Sequence, residues 1–167
     1  PNNLREAIDQ ALVFSKSGQV LIEKYMDCDD IFLYFTFVNG ECLLSASADR
    51  ITLKSQKLGS PVCQAAKYPS KHLNLYLALY HEKLKILFSS LKIRDAVLCI
   101  SAFVIDHEMY FYDPGFRLQG EGPNLHLQKI LGFDHKEMLI DLALGNNFCK
   151  HNTIVLNPNL NRSEEHT

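Results

Sequence analysis

The sequence predicts an α+β fold: a mainly antiparallel sheet flanked by helices. Three observations predict it. Asn39-Gly40 joins the run IFLYFTFV (31–38) to a return run over 41–47, and Asn-Gly between alternating apolar segments is the strongest short hairpin signal. The nearly continuous apolar run DAVLCISAFVID (95–106) reads as a strand buried on both faces, with a turn near Asp106-His107 sending the chain back along 109–113. Between these two antiparallel units, Leu73, Leu77, Tyr80, Leu84, Leu87, Phe88 and Leu91 recur at helical spacing and predict one long helix over about 71–91. Strands joined by hairpins, with helices to one side, give an α+β arrangement rather than a doubly wound one.

The remaining elements follow in order. A first helix is expected over about 4–15, with Asn3 as its cap, Glu6 in the capping-box position and Gly18 closing it. QVLIEKY (19–25) reads as a strand, followed by the polar knot Met26-Asp27-Cys28-Asp29-Asp30. A short strand is expected at 49–53. Residues 54–70, which include Gly59, Pro61 and Pro69, lack a clear period and read as an irregular loop of a length more often functional than idle. Ser70 would cap the long helix. Beyond 122 a short helix is expected over 125–131, and Asp134-x-x-Glu137 opens a last helix that Gly145 stops.

The 167-residue chain is 47% apolar and 22% charged with a net charge of −2, an ordinary soluble composition. Its basic residues are scattered, so no nucleic-acid surface is expected. No apolar run approaches the ~18 residues a membrane span requires. Five widely spaced cysteines without a CxxC read as reduced thiols of a cytoplasmic protein, and the seven dispersed histidines show no zinc-ligand spacing.

The stretch richest in chemistry is YFYDPGFRLQGEG (110–122). Asp113 stands where the aromatic strand gives out, Pro114-Gly115 break regular pairing, Arg117 follows four positions later, and Gly120 and Gly122 keep the next loop slim. A carboxylate and a guanidinium at a strand end suit a metal–phosphate site. The same residues also suit an Asp-Pro-Gly turn with a surface ion pair. At the other end of the domain, the backbone edge Lys24–Met26 beside Glu23 could meet a planar base, and Asp29 or Asp30 could accept from ribose hydroxyls. The plainer reading is a strand-end ion pair. These groups converge with Asp113 only if the two antiparallel units share one sheet.

In this order, VLIEKYM (20–26), Asp29-Asp30 and FYDPGFRLQG (111–120) resemble the carboxy-terminal part of an ATP-grasp domain. That superfamily includes carbamoyl phosphate synthase large subunits, biotin carboxylases and carboxylate–amine ligases. The pattern "fyEmgyRlsG" of the carbamoyl-phosphate-synthase-like ligases of polysaccharide loci overlays 112–120, and Asp49-Arg50 with Tyr68–Lys71 also look like that subgroup. The resemblance implies a truncated last helix of the small lobe at 1–18, the carboxy-terminal subdomain at 19–145 and a tail at 146–167, with an amino-terminal part of the same chain required for turnover. It implies ATP and Mg2+ as cofactors. Glu23, Lys24, Tyr25 and Met26 would meet adenine and Asp30 the ribose. Asp113, with Ser101 twelve residues upstream as a weak second ligand, would hold the metal, and Arg117 would face the transferred phosphoryl group. The implied reaction is attack of a carboxylate on ATP and capture of the acyl phosphate by an amine, in a possible homo-oligomer. The acid and amine stay unspecified. The family usually has Glu at position 113 and Glu or Gln at 101; it usually has Asn at 115, where the polysaccharide subgroup also has Gly. Asp113 and Ser101 keep open the alternative of a degenerate module that binds nucleotide weakly or serves as an interaction scaffold.

Overall fold

The computed structural model describes residues 3–53, 62–118 and 123–146. Along the chain they form α1 (Leu4–Phe14), β1 (Asp29–Val38), β2 (Glu41–Leu53), β3 (Val62–Lys67), α2 (Leu73–Leu79), α3 (His81–Ser90), β4 (Ala96–Ile105), β5 (Glu108–Gly115), α4 (Pro123–Leu131) and α5 (His135–Ala143). The five strands make one sheet in the order β3-β2-β1-β4-β5, and every pairing is antiparallel. The two antiparallel units read from the sequence therefore share a sheet, joined where β1 pairs with β4.

The hairpin residues set the register. Asn39 and Gly40 both take positive φ, 52° and 88°, the pair of angles a two-residue type I′ turn needs. The turn is tied to the start of β4: Asn39 N–H donates to Asp95 Oδ1 at 2.7 Å and Gly40 N–H to Arg94 O at 2.8 Å. Alternation then sorts the side chains. Ile31, Leu33, Phe35 and Phe37 of β1, with Leu98 and Ile100 of β4, pack against Tyr76 of α2 and Phe88 of α3. Phe88 meets Phe35 and Phe37 edge-on at centroid distances of 5.2 and 5.4 Å, a geometry aromatic rings favour. On the opposite face, Phe32, Tyr34, Ala46, Ala48 and Cys99 pack around Leu127 of α4, and Val97 packs with Leu131, Phe133 and Met138.

Helices thus cover both faces of the sheet rather than one. The expected long helix is two helices that meet at Tyr80, whose backbone angles are φ −124°, ψ −25°. There the Tyr80 hydroxyl accepts from Met109 N–H at 3.1 Å and its ring packs edge-on against Phe111 at 5.4 Å, so contacts to β5 override helical continuity. The expected strand over 49–53 is the end of one strand, β2, and part of the expected loop 54–70 is the edge strand β3. Residues 54–61 lie outside the described residues, as do 119–122 and the tail from 147. The expected strand over 19–25 is not one: 19–27 has no regular secondary structure. α1 forms as expected, with the Asn3 side chain accepting from Arg5 N–H at 3.1 Å. Its apolar stripe buries nothing, and Phe14 is 87% exposed.

Candidate functional site

The β4–β5 hairpin builds the site. Its turn is made by Asp106 and His107, both at positive φ, and it sets Ser101 opposite Tyr112. The register then shifts, so that Cys99 opposes Gly115 and the chain bulges through Asp113 and Pro114. Regular pairing breaks where the sequence indicated, although β5 continues to Gly115. Asp113 is exposed and holds φ at +48°, a left-handed conformation that Asp tolerates far better than most residues. This backbone accounts for Asp rather than the longer Glu here. Ser101, buried at 4% exposure, lies on the neighbouring strand beside it.

Arg117 folds back onto the strand end. Its N–H donates to Gly115 O at 2.9 Å, and a Cβ at Gly115 would stand 3.3 Å from Arg117 Nε. Glycine at 115 lets the guanidinium stem cross the backbone. Asp113 and Arg117 both act on the Cys99 thiol beneath them: burial pushes it up to about 12, while Arg117 lowers it and Asp113 raises it. Cys99 is therefore an inert packing thiol, and it marks the sheet face to which both charges belong.

On that same face a polar network crosses the sheet. Asp30 of β1 receives Arg50 Nη1 of β2 on Oδ2 at 3.1 Å and the Tyr112 hydroxyl of β5 on Oδ1 at 2.8 Å. Tyr112 lies flat on Phe103, with ring centroids 4.3 Å apart, and Arg50 lies over the Phe32 ring at 5.3 Å. Burial, then the hydrogen bond to Asp30, holds the Tyr112 phenol well above its ordinary range, so it stays a donor. Arg50 Nε is buried without a hydrogen-bond partner.

The opposite face carries a latch. Asp49 accepts from Ser70 Oγ at 2.6 Å and from Lys71 N–H at 3.2 Å. Asp29 accepts from Lys71 Nζ and from His72 Nε2, each at 2.8 Å, and these partners, Lys71 foremost, hold its carboxyl below the usual range. The latch fixes the chain into α2. Ser70 is not the expected cap: α2 begins at Leu73 with His72 in the cap position and no side-chain cap, while Ser70 Oγ accepts from His72 N–H at 3.1 Å just ahead of the helix.

The structure brings together Asp113, Ser101 and Arg117, with Asp30 on the same sheet face. Glu23, Lys24 and Tyr25 are exposed and Met26 half-buried in the irregular segment before β1. Asp30 has both oxygens engaged by protein groups. Arg50 and Tyr112 escaped the residue-by-residue reading because their partner lies on a third strand; the available signal was an Arg and a Tyr at odds with apolar strands. His135 also escaped notice: it is 1% exposed, with Nε2 2.8 Å from Thr36 Oγ1, which in turn lies 2.5 Å from Ser45 Oγ.

Comparison with protein-family models finds no match, and none is found among curated proteins. Solved structures do match. A phosphoribosylglycinamide synthetase from Anaerococcus prevotii superposes with a TM-score of 0.63 at 14% identity, over 87% of this chain and 37% of that one. A biotin carboxylase from Campylobacter jejuni, solved as a β,γ-ATP complex, gives 0.61 at 18% identity over 84% and 31%. The chain shares the α+β fold of these structures. The biotin carboxylase domain of Hydrogenobacter thermophilus 2-oxoglutarate carboxylase, solved with magnesium ADP and bicarbonate, gives 0.64 at 18% identity over 86% and 31%. The chain thus spans about a third of the length of the structures it matches.

Proposed function

We propose that this chain is the nucleotide- and metal-binding part of an ATP-dependent ligase that joins a carboxylate to an amine through an acyl phosphate. The observation that carries the reading is the juxtaposition of Ser101 and Asp113 across β4 and β5, with Arg117 folded over Gly115, in a fold shared with ligases solved with nucleotide. The donor set fits Mg2+ at its lower limit: the ion is commonly held through one or two carboxylates, substrate phosphates and water. Asp113 would supply the carboxylate and the Ser101 hydroxyl a weak second oxygen. Bound there, the ion would neutralise phosphate charge. Arg117 would hold anionic oxygen of the transferred group, as positioned cations do in phosphoryl transfer. Glu23 and the backbone of Lys24, Tyr25 and Met26 would edge the adenine, which their exposure permits.

We assign α1 and the following turn (1–18) to the end of the smaller lobe and 19–145 to the larger one, in a cytoplasmic enzyme able to self-associate. Among ATP-grasp enzymes we favour the carbamoyl-phosphate-synthase-like ligases of polysaccharide loci, because Asp49-Arg50 and Tyr68–Lys71 resemble that subgroup's pattern, and Asp49, Ser70 and Lys71 among them form the latch described above. A second reading, a degenerate nucleotide-binding or scaffold module, is favoured by one observation: no group of three or more His, Cys, Asp or Glu side chains converges among the described residues. Calorimetry of ATP binding with and without Mg2+, wild type against Asp113→Ala, separates the two. The ligase reading requires magnesium-dependent binding that the substitution abolishes. ATP binding indifferent to both metal and substitution establishes the degenerate module.

A further inference from the structure

Asp30 is the residue whose surroundings differ most from the role a ribose contact would give it. Its two carboxylate oxygens are each taken by a protein donor, Arg50 at 3.1 Å and Tyr112 at 2.8 Å, and its side chain is only 15% exposed. The network also has an unusual span. β4 lies between β1 and β5 in the sheet, so the Tyr112 side chain reaches over β4 to meet Asp30, stacked on Phe103 of β4 as it goes. Tyr112 is the last residue before the bulge, paired with Ser101 and followed by Asp113 at φ +48°. Past Tyr112 the backbone ladder is irregular, and β5 is an edge strand with one neighbour. An edge that is about to lose its regular pairing, and holds a left-handed residue, needs a side-chain tether to keep one conformation.

We infer that Arg50, Asp30 and Tyr112 form a brace that fixes the end of β5, and that Asp30 is a positioning residue for Asp113 rather than a nucleotide contact. Arg50 holds Asp30 in place, itself seated on Phe32; Asp30 holds the Tyr112 hydroxyl; and Tyr112 sets where the bulge presents Asp113 relative to Ser101. The link from this brace to metal binding rests on the ligase reading, but the brace itself does not.

Tyr112→Phe tests it, since the ring and its stacking on Phe103 remain and only the hydroxyl is removed. A hydrogen bond to a charged acceptor contributes enough that its loss corresponds to about tenfold or more in a local opening equilibrium. Hydrogen exchange of the Asp113, Gly115, Phe116 and Arg117 amides should therefore accelerate about tenfold, with the β1 amides of residues 31–37 unchanged. The Mg2+ concentration for half-maximal ATP binding should rise by a similar factor, while affinity for ATP in chelator stays the same. Asp30→Asn gives the second arm: wild type and variant should distinguish ATP from 2′-deoxy-ATP equally. Unchanged exchange at the end of β5 in Tyr112→Phe overturns the brace. An Asp30→Asn loss of affinity that is equal with and without Mg2+, and specific to the ribose hydroxyl, overturns the positioning role. If the wild type binds no ATP in a magnesium-dependent way, the ligase reading is what falls, and the exchange result decides the brace by itself.

Discussion

Acid should unfold this protein through a residue outside the candidate site. His135 opens α5 with its ring 1% exposed, against Phe133 at 5.0 Å, with Nε2 on Thr36 Oγ1 and Nδ1 buried without a partner. Burial lowers its pKa from 6.5 to about 4, and nearby Asp134 offsets this only in part. The start of a helix also disfavours a cation. The sign follows directly. Above 6.5 the imidazole is neutral folded or unfolded, and pH has no leverage through it. Below 6.5 the unfolded chain takes up a proton that the folded protein refuses, so stability falls as pH drops, until the folded form also protonates near 4. At about 1.36 kcal/mol per pKa unit the loss over that window is about 3 kcal/mol, a large share of the ~5–15 kcal/mol that holds a typical domain. Urea unfolding at intervals from pH 7 to pH 4 measures it. His135→Phe keeps an aromatic ring and removes the titration; carboxylates contribute alike to both proteins. The variant should start less stable at pH 7, because Thr36 loses a partner, and gain on the wild type by about 3 kcal/mol on reaching pH 4. Parallel stability curves for the two proteins would refute the assignment.

Three further outcomes follow from particular contacts. Asp49→Ala strips Ser70 Oγ and Lys71 N–H of their acceptor and should cost about 1–3 kcal/mol in denaturant unfolding, with Asp49→Asn intermediate. Asp113→Gly should raise stability by up to ~1 kcal/mol, since glycine takes φ +48° without strain, and Asp113→Glu should lower it; under the ligase reading the glycine variant also loses magnesium-dependent ATP binding, so a stabilised protein would be an inactive one. Phe88→Ala, which empties the space between Phe35 and Phe37, should cost about 3–5 kcal/mol by thermal or urea unfolding.

How far the sequence could be read differs element by element, and the differences have physical causes. Asn39-Gly40 and the cap at Asp134, whose side chain accepts from Lys136 N–H at 2.7 Å, are local devices, and both form as expected. β4 was legible because burial on both faces leaves a continuous apolar run. β3, by contrast, is a short edge strand of sequence VCQAAK, with neither alternation nor β-branched density to announce it. The stripe through Tyr80 was periodic, but periodicity carries no information about a hydroxyl that β5 needs. QVLIEKY has strand composition, yet no described strand pairs with it, and strand propensity alone does not supply a partner. The site divides the same way. Ser101 and Asp113 are twelve residues apart around a tight turn, so their proximity follows from chain geometry. Arg50, Asp30 and Tyr112 meet only because the sheet runs β2-β1-β4-β5, an order that no local signal encodes.

The most direct test of the central proposal is to ask where a metal–nucleotide complex sits. Mn2+ in place of Mg2+ broadens the NMR signals of nearby nuclei, and titrating Mn2+ with ATP into isotope-labelled protein maps the ion onto the chain. Selective broadening is expected at the amides of Ser101, Tyr112, Asp113 and Arg117, with its loss in Asp113→Ala and far weaker effects in α2 and α3 across the sheet. Broadening centred elsewhere, on the Asp29–Lys71–His72 latch for example, or unaltered by the substitution, would contradict the proposal.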